Sequence, residues 1–435
     1  MRELAGVERR PPERPASSHV VIDVRPLQEP DRLPITAGYL RRLLAAFAAE
    51  PLPGESFVPI LRTMRPDPTE DLEDAGLPIA TRRRVLPTAR FLRSAGLTID
   101  AFQLRGAEVG AGTAAGSAPA VYHTAGGAVP LGSDLPVVAT VLDLAPWELP
   151  SIYATSPAAR FGHRLRARIL RDATRLIVCS SATGASASRL LHVLPDRIAV
   201  VPLAPDEEFT PDPAHPERLA DLRGRLHLPE RYFAFVGRYD ARKDLGTLFR
   251  ALASLAAGGA ASPSVPWPPV VVLAGAEGAD ETDGPALARA AARHGVTRQV
   301  RLVPLLGSWD LATLEAGAEA VVFPAISEGT GLRVQEALAL GIPAVASRVG
   351  PLPELVGPAG IIVEPRDPGR LAAALRASWS GHIHDQLRRV ARQRAKSGRR
   401  TWADVARETR EVYAAAAREG RPSRSSAGSE GAGTS

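Results

Sequence analysis

The sequence predicts an α/β protein of two Rossmann-like domains facing across a cleft, and three observations carry that prediction. Short apolar runs bounded by Gly or Pro alternate with helical periodicity from Val20 to Val363. Two of these runs end in glycine-bearing turns that open helices, at Gly237–Asp244 and at Ser327–Gly331. At 435 residues, the chain exceeds a single ordinary core.

Composition narrows the class. Hydrophobic content of 45% is that of a globular chain. No run of eighteen or more apolar residues occurs, and Met1–Ser18 is rich in Arg and Pro without an apolar core, which argues against a membrane span or secretory signal. The lone Cys179 offers neither a disulfide framework nor a metal cluster, so the expected setting is cytoplasmic. The pI is near 9.9, yet the net charge is only +6 and the arginines are scattered, which argues against nucleic acid as a partner. An anionic membrane surface is the alternative partner for such a basic face, giving a peripheral place at the inner membrane. Of 53 basic residues only Lys243 and Lys396 are lysines, so a Lys inside a glycine-bearing loop stands out as a compact point charge.

The elements follow in order. Residues 1–18 read as a disordered arm and 19–204 as an N-terminal, acceptor-side domain. Val20–Val24 is its first strand, and a loop through Gly38 leads to a helix marked by Leu40, Leu43, Leu44 and Phe47. An Arg-rich helix is expected near Thr81–Ser94. Gly110-Ala111-Gly112 lacks a strand before it and a periodic helix after it, and is discounted as a dinucleotide loop. Ala120–His123, Leu135–Leu142, Arg175–Ser181 and Arg197–Leu203 are further strands, with Asp143 just past one carboxyl end. Residues 205–230, rich in Pro, Asp and Glu, read as a linker.

The second domain is expected over 231–400. Tyr232–Val236 is a buried strand, followed by Gly237-Arg238-Tyr239-Asp240-Ala241-Arg242-Lys243-Asp244 and then a helix through Leu245, Leu248 and Phe249. Arg238 and Lys243 lie five apart across a turn, so both can converge on one diphosphate. Val270–Leu273 and Val300–Val303 are strands, Leu311–Ala318 a helix, and Leu371–Arg394 is helical. Residues 401–418, with Trp402, Val405 and Tyr413 at helical spacing, form a closing helix expected to return to the first domain; 419–435 read as a disordered tail.

The most informative stretch runs from Val321 to Glu354. Strand Ala320–Phe323 leads into Ser327-Glu328-Gly329-Thr330-Gly331, a helix through Leu332, Val334, Ala337 and Leu338, the stop Gly341-Ile342-Pro343, and strand Ala344–Ala346. The helix start offers unpaired N–H groups to an anion. Glu328 and Glu336 frame it, and carboxylates beside an anion site suit hydroxyls. Phosphates and hydroxyls in one molecule describe a nucleotide sugar.

The run SEGTGLRVQEALALGIPAVAS resembles the signature of the family 4 glycosyltransferases (glycosyl transferases group 1), retaining enzymes of the GT-B fold; the loop at Gly237–Asp244 resembles that family's phosphate loop. The resemblance implies Arg238, Lys243 and Glu328 as catalytic residues, and Gly237, Gly329, Thr330, Gly331, Leu332, Glu336 and Gly38 as donor-binding residues. Glu328 would meet sugar hydroxyls and Glu336 the ribose. His123, Leu142 and Asp143 would line the acceptor or sugar pocket. Relatives commonly carry His where this chain has Leu142, which implies either a donor lacking the 6-hydroxyl or reduced activity. No Asp-x-Asp sequence occurs, so no metal is expected.

The implied activity is hexosyl or deoxyhexosyl transfer from a nucleoside-diphosphate sugar, GDP- or UDP-linked, to a glycan or lipid-linked acceptor. No cofactor is implied beyond that co-substrate. Bacterial polysaccharide assembly, with mannosyltransferase-like relatives, is the implied setting. A non-catalytic nucleotide-sugar-binding protein and a sugar-nucleotide epimerase on the same fold stay open.

Overall fold

The computed structural model describes residues 19–85, 120–125, 133–210, 216–237, 239–259, 265–275 and 283–420. Two parallel sheets organise them. The first contains β1 (His19–Asp23), β2 (Ser56–Arg62), β3 (Arg83–Val85), β4 (Ala120–Ala125), β5 (Val137–Val141), β6 (Arg175–Val178) and β7 (Ile198–Val200), in the order β3-β2-β1-β4-β5-β6-β7. The second contains β8 (Phe233–Gly237), β9 (Val271–Gly275), β10 (Val300–Val303), β11 (Ala320–Phe323), β12 (Ala344–Ser347) and β13 (Gly360–Val363), in the order β10-β9-β8-β11-β12-β13. β5, β8, β11 and β12 are buried along their whole length, the reason they read as unbroken apolar runs. In each sheet the strand order reverses once, at β1/β4 and at β8/β11, and a crevice opens outside the carboxyl ends there. This is the GT-B architecture, two Rossmann-like sheets with helices.

Several elements differ from the sequence reading. The first helix runs Pro34–Ala49, so Gly38 sits in its second turn and not in a loop; Pro34 presets the helical φ at its start. Arg83–Val85 is an edge strand where an Arg-rich helix was expected, because it pairs in parallel with Ile60–Arg62. Pro216–Leu226, inside the expected linker, is a helix that buries Leu222 against the second domain's core. The expected Leu371–Arg394 helix is two, Pro368–Trp379 and Gly381–Lys396, broken at Gly381 with φ +85°. The arm at 1–18, Gly110-Ala111-Gly112 and residues 421–435 of the tail lie outside the described residues.

The last helix ties the halves together. Trp402–Glu419 opens on a capping box, Thr401 accepting from the Asp404 N–H at 3.3 Å and Asp404 from the Thr401 N–H at 3.0 Å. Although it follows the second domain in sequence, its Val405, Tyr413 and Ala416 are buried with Leu44 and Phe47 in the first domain's core. Arg410 anchors it by a buried pair with Glu55 at 2.7 Å.

Candidate active site

The two crevices face one another, and one cleft with about 810 Å³ of empty space, open solvent at its mouth included, lies between them. The first domain contributes Pro34, Ile35, Gly38, Tyr39, Arg42 and Leu203; the closing helix contributes Trp402. The second contributes Gly237, Arg242 and Lys243 from the end of β8, and Glu328, Thr330, Leu332 and Arg333 from the connection after β11.

Two loops build the catalytic end. After β8, a short 3-10 turn at Ala241–Lys243 is closed by Asp244 in the left-handed region, φ +46°, and Asp244 caps the helix Leu245–Ala257 by accepting from the Thr247 N–H. The Arg242 carbonyl accepts from the Ile326 N–H at 2.7 Å, which fixes this turn against the loop after β11. Lys243 thereby reaches Glu328, donating at 2.6 Å. Glu328 also accepts from the Gly331 N–H at 3.3 Å. Burial alone would push the Glu328 carboxyl up. The adjacent Lys243 ammonium and Arg242 guanidinium, with the donors from Lys243 and Gly331, hold it at about 2 instead.

Glycines set the spacing. Gly331, at φ +64°, starts the helix Leu332–Ala339, and a side chain on it would run into Leu355. Gly329 lies so close to the first domain that a Cβ there would collide with the Leu142 carbonyl oxygen. Around it the halves are clasped. Arg242 pairs with Asp143, Thr183 donates to the Gly329 carbonyl at 3.1 Å, and Ser327 donates to Glu148 at 2.5 Å. Glu354 accepts from the Ser181 and Ala182 N–H groups that open the helix Ser181–Leu191, at 3.5 and 3.3 Å.

The structure brings Gly38, Gly237, Lys243, Glu328, Thr330 and Leu332 to the cleft, with Gly329 and Gly331 in the same turn. Arg238 lies outside the described residues. Other assignments are corrected. His123 is fully buried, between Thr140 Oγ1 at 2.9 Å and the Tyr413 hydroxyl at 2.7 Å; β4 is central and the closing helix covers it. Burial lowers its pKa to about 3. Leu142 turns its side chain into the core, where Leu332 packs on it, so it forms no wall of the sugar pocket. The Asp143 carboxylate is engaged by Arg242 and by the Ala145 N–H at 2.8 Å. Glu336 stands behind the cleft wall, fully buried, accepting from Arg333 at 2.8 Å. That guanidinium stands where a ribose contact was expected. Arg242, Arg42, Arg333 and Trp402 were not singled out from sequence as cleft residues; the signal available for Arg242 and Arg333 was their place inside the two motif stretches.

Comparison with known proteins agrees with this geometry. Residues 230–380 match the family model described as Glycosyl transferases group 1. The chain is 27% identical over 275 residues to the O-antigen chain mannosyltransferase B of Escherichia coli, covering 62% of this chain and 68% of that protein. It is 34% identical over 215 residues to the D-inositol 3-phosphate glycosyltransferase of Salinispora arenicola, covering 48% of this chain and 47% of that one, so the alignment spans about half of that relative. Among solved structures, the lipopolysaccharide-biosynthesis glycosyltransferase WaaG superposes with a TM-score of 0.65 at 14% identity, over 91% of this chain and 99% of that one. Anabaena HepE in complex with UDP gives 0.58 at 17% identity, over 92% and 100%. Fold, cleft and matched residues together place a glycosyl transferases group 1 match at residues 230–380 within a chain of the GT-B fold.

Proposed function

We propose that the chain transfers a sugar from a nucleoside-diphosphate donor to a glycan or lipid-linked acceptor, with retention of configuration and without a metal ion. The observation that carries this reading is the convergence of Lys243, Arg242 and the helix start at Gly331–Leu332 on the cleft between the sheets. Fixed positive charge there stabilises the diphosphate as it gains charge on leaving, a transition-state effect of preorganised groups. The acceptor oxygen bonds to the anomeric carbon as the carbon–oxygen bond to the diphosphate breaks, on the same face, and the acceptor proton passes to the departing phosphate oxygen. Glu328, ionised and held by Lys243, orients sugar hydroxyls.

The solved structure that holds UDP supports a nucleoside-diphosphate donor, and the mannosyltransferase relative supports a hexose. With Leu142 in the core, the geometry lends no support to a deoxysugar donor. The acceptor setting is the anionic membrane face: the helix Pro157–Arg171 carries no acidic residue and exposes Arg160, Arg164, Arg168, Arg171 and Phe161. No helix among the described residues is long and apolar enough to cross a membrane.

Release of nucleoside diphosphate from UDP- and GDP-sugars, measured with and without membrane-extracted glycan acceptors, tests the reading. Release dependent on acceptor is expected. Interconversion of the donor without release would favour an epimerase, and binding without either would favour a sensor.

A further inference from the structure

Glu328 belongs to the second domain, yet its two chain neighbours are both held by the first. On one side the buried Ser327 hydroxyl donates to Glu148 at 2.5 Å. On the other the Gly329 carbonyl accepts from the buried Thr183 hydroxyl at 3.1 Å. The two partners come from separate elements. Glu148 ends the short helix Ala145–Glu148 in the connection after β5, and Thr183 lies in the first turn of the helix Ser181–Leu191, after β6.

Both partners are fixed in turn. The Ser180 hydroxyl oxygen accepts from the Thr183 N–H at 3.0 Å and lies 2.8 Å from the Thr183 hydroxyl. With its proton given to Gly329, the Thr183 oxygen accepts from Ser180. Glu148 stands half-buried within the fields of Asp143, Arg189 and Arg242. Inside its own domain, Glu328 is met at its carboxylate by Lys243 and the Gly331 N–H, and its carbonyl lies so close to Gly350 that a Cβ there would collide. A side chain points where its backbone directs it. The aim of the Glu328 carboxylate therefore depends on two hydrogen bonds that exist only while the domains are together.

We propose that Glu148 and Thr183 are positioning residues for sugar transfer, fixing the backbone on both sides of Glu328 so that its carboxylate meets the donor sugar only when the domains are closed. This rests on the reading of Glu328 as the partner of sugar hydroxyls, and deepens it. Neither residue lines the cleft, so both act through Glu328. An open protein still presents Lys243, Arg242 and the helix start to the diphosphate, all from the second domain; closure adds the aimed carboxylate and completes the site.

The test combines kinetics and calorimetry on the full chain, with UDP- and GDP-sugars and membrane-extracted glycan acceptors for turnover, and UDP and GDP as binding probes. Thr183→Val removes the donor to Gly329, and Glu148→Ala removes the acceptor for Ser327. Each should lower kcat about 10-fold, the scale of one hydrogen bond lost beside a buried polar group, and leave UDP and GDP affinity at the wild-type value. Glu148→Gln keeps an oxygen within reach of Ser327 and should recover most of the loss, as should Thr183→Ser. In a Glu328→Ala background neither Thr183→Val nor Glu148→Ala should lower kcat further, because both act through that carboxylate. A merely structural clasp would lower nucleotide affinity together with kcat, or cost as much in the Glu328→Ala background as in the wild type. Either result overturns the proposal, as does wild-type kcat in both variants. Should Glu148→Ala fail to fold, Thr183→Val reads the same effect from the other side of Glu328. Failure of the donor reading is seen separately, as wild-type protein that binds neither UDP nor GDP and releases none, and the positioning roles fall with it.

Discussion

Lys243 donates to Glu328 across 2.6 Å, joining the loop after β8 to the loop after β11, with both side chains lining one cleft. The two lines of the sequence that resembled donor motifs therefore meet as an ion pair.

Lys243→Gln should lower turnover about 100-fold, the size of effect expected when a preorganised charge is removed from a developing anion. It also acts on stability. Glu328 titrates at about 2 folded against an ordinary value of 4.5, so its contribution is complete above about pH 4.5 and lost as pH falls toward 2. Without the ammonium its carboxyl rises, and the acid transition measured by circular dichroism should begin at higher pH in the variant.

Gly329→Ala should cost about 1–3 kcal/mol, the usual size of an overpacking strain, because its methyl must displace the Leu142 carbonyl. Urea denaturation measures the loss, and small-angle scattering should show the domains further apart.

Asp143→Asn removes the carboxylate from Arg242 and leaves a nearly buried guanidinium. Asp143 is 31% exposed, so solvent screening reduces the full buried-pair penalty to about 1–3 kcal/mol. The clasp across the cleft should loosen, raising KM for the donor more than it lowers kcat.

Glu315 is fully buried, both its oxygens lack hydrogen-bond partners among the described residues, and burial together with the Glu336 charge raises its pKa. A raised folded pKa makes the acid bind its proton more tightly in the native state, so stability falls as pH rises above the unfolded value of 4.5. Glu315→Gln should flatten that decline. Thermal melts from pH 5 to 8 should show the variant gaining on the wild type with each step up.

His123 behaves in the opposite sense. Its pKa is lowered to about 3 by burial, so stability is lost as pH falls from about 6.5 toward 3. His123→Gln should reduce that acid sensitivity and leave nucleotide affinity unchanged, since the ring is bonded to Thr140 and Tyr413 inside the core.

Much of the second domain was legible because its signals are local. Ala320–Phe323 and Gly360–Val363 are apolar runs whose ends coincide with the strands, and Gly331 marks the helix start by a backbone angle that favours glycine. The closing helix announced its packing through Val405 and Tyr413. What was not legible depends on contacts between distant residues. His123 and Glu336 are polar side chains in reactive-looking places, and only the packing of the Trp402–Glu419 helix over β4, or of Arg333 in front of Glu336, shows that they face away from the cleft. Arg42 was invisible because its partner Asp206 lies far along the chain, in the segment joining the domains. Leu142 was read as a pocket wall from the resemblance, yet its side chain is in the core and its backbone carbonyl lies against Gly329.

The central claim is that the cleft around Lys243 and Glu328 holds a nucleoside diphosphate without metal. A thermal-shift panel of nucleoside diphosphates and their sugars, run with chelator, tests it most directly, since a ligand bound only by the folded state raises the midpoint. The account predicts a rise with UDP or GDP that persists in chelator and disappears in Lys243→Gln. No rise with any member, or a rise that Lys243→Gln leaves intact, would contradict it.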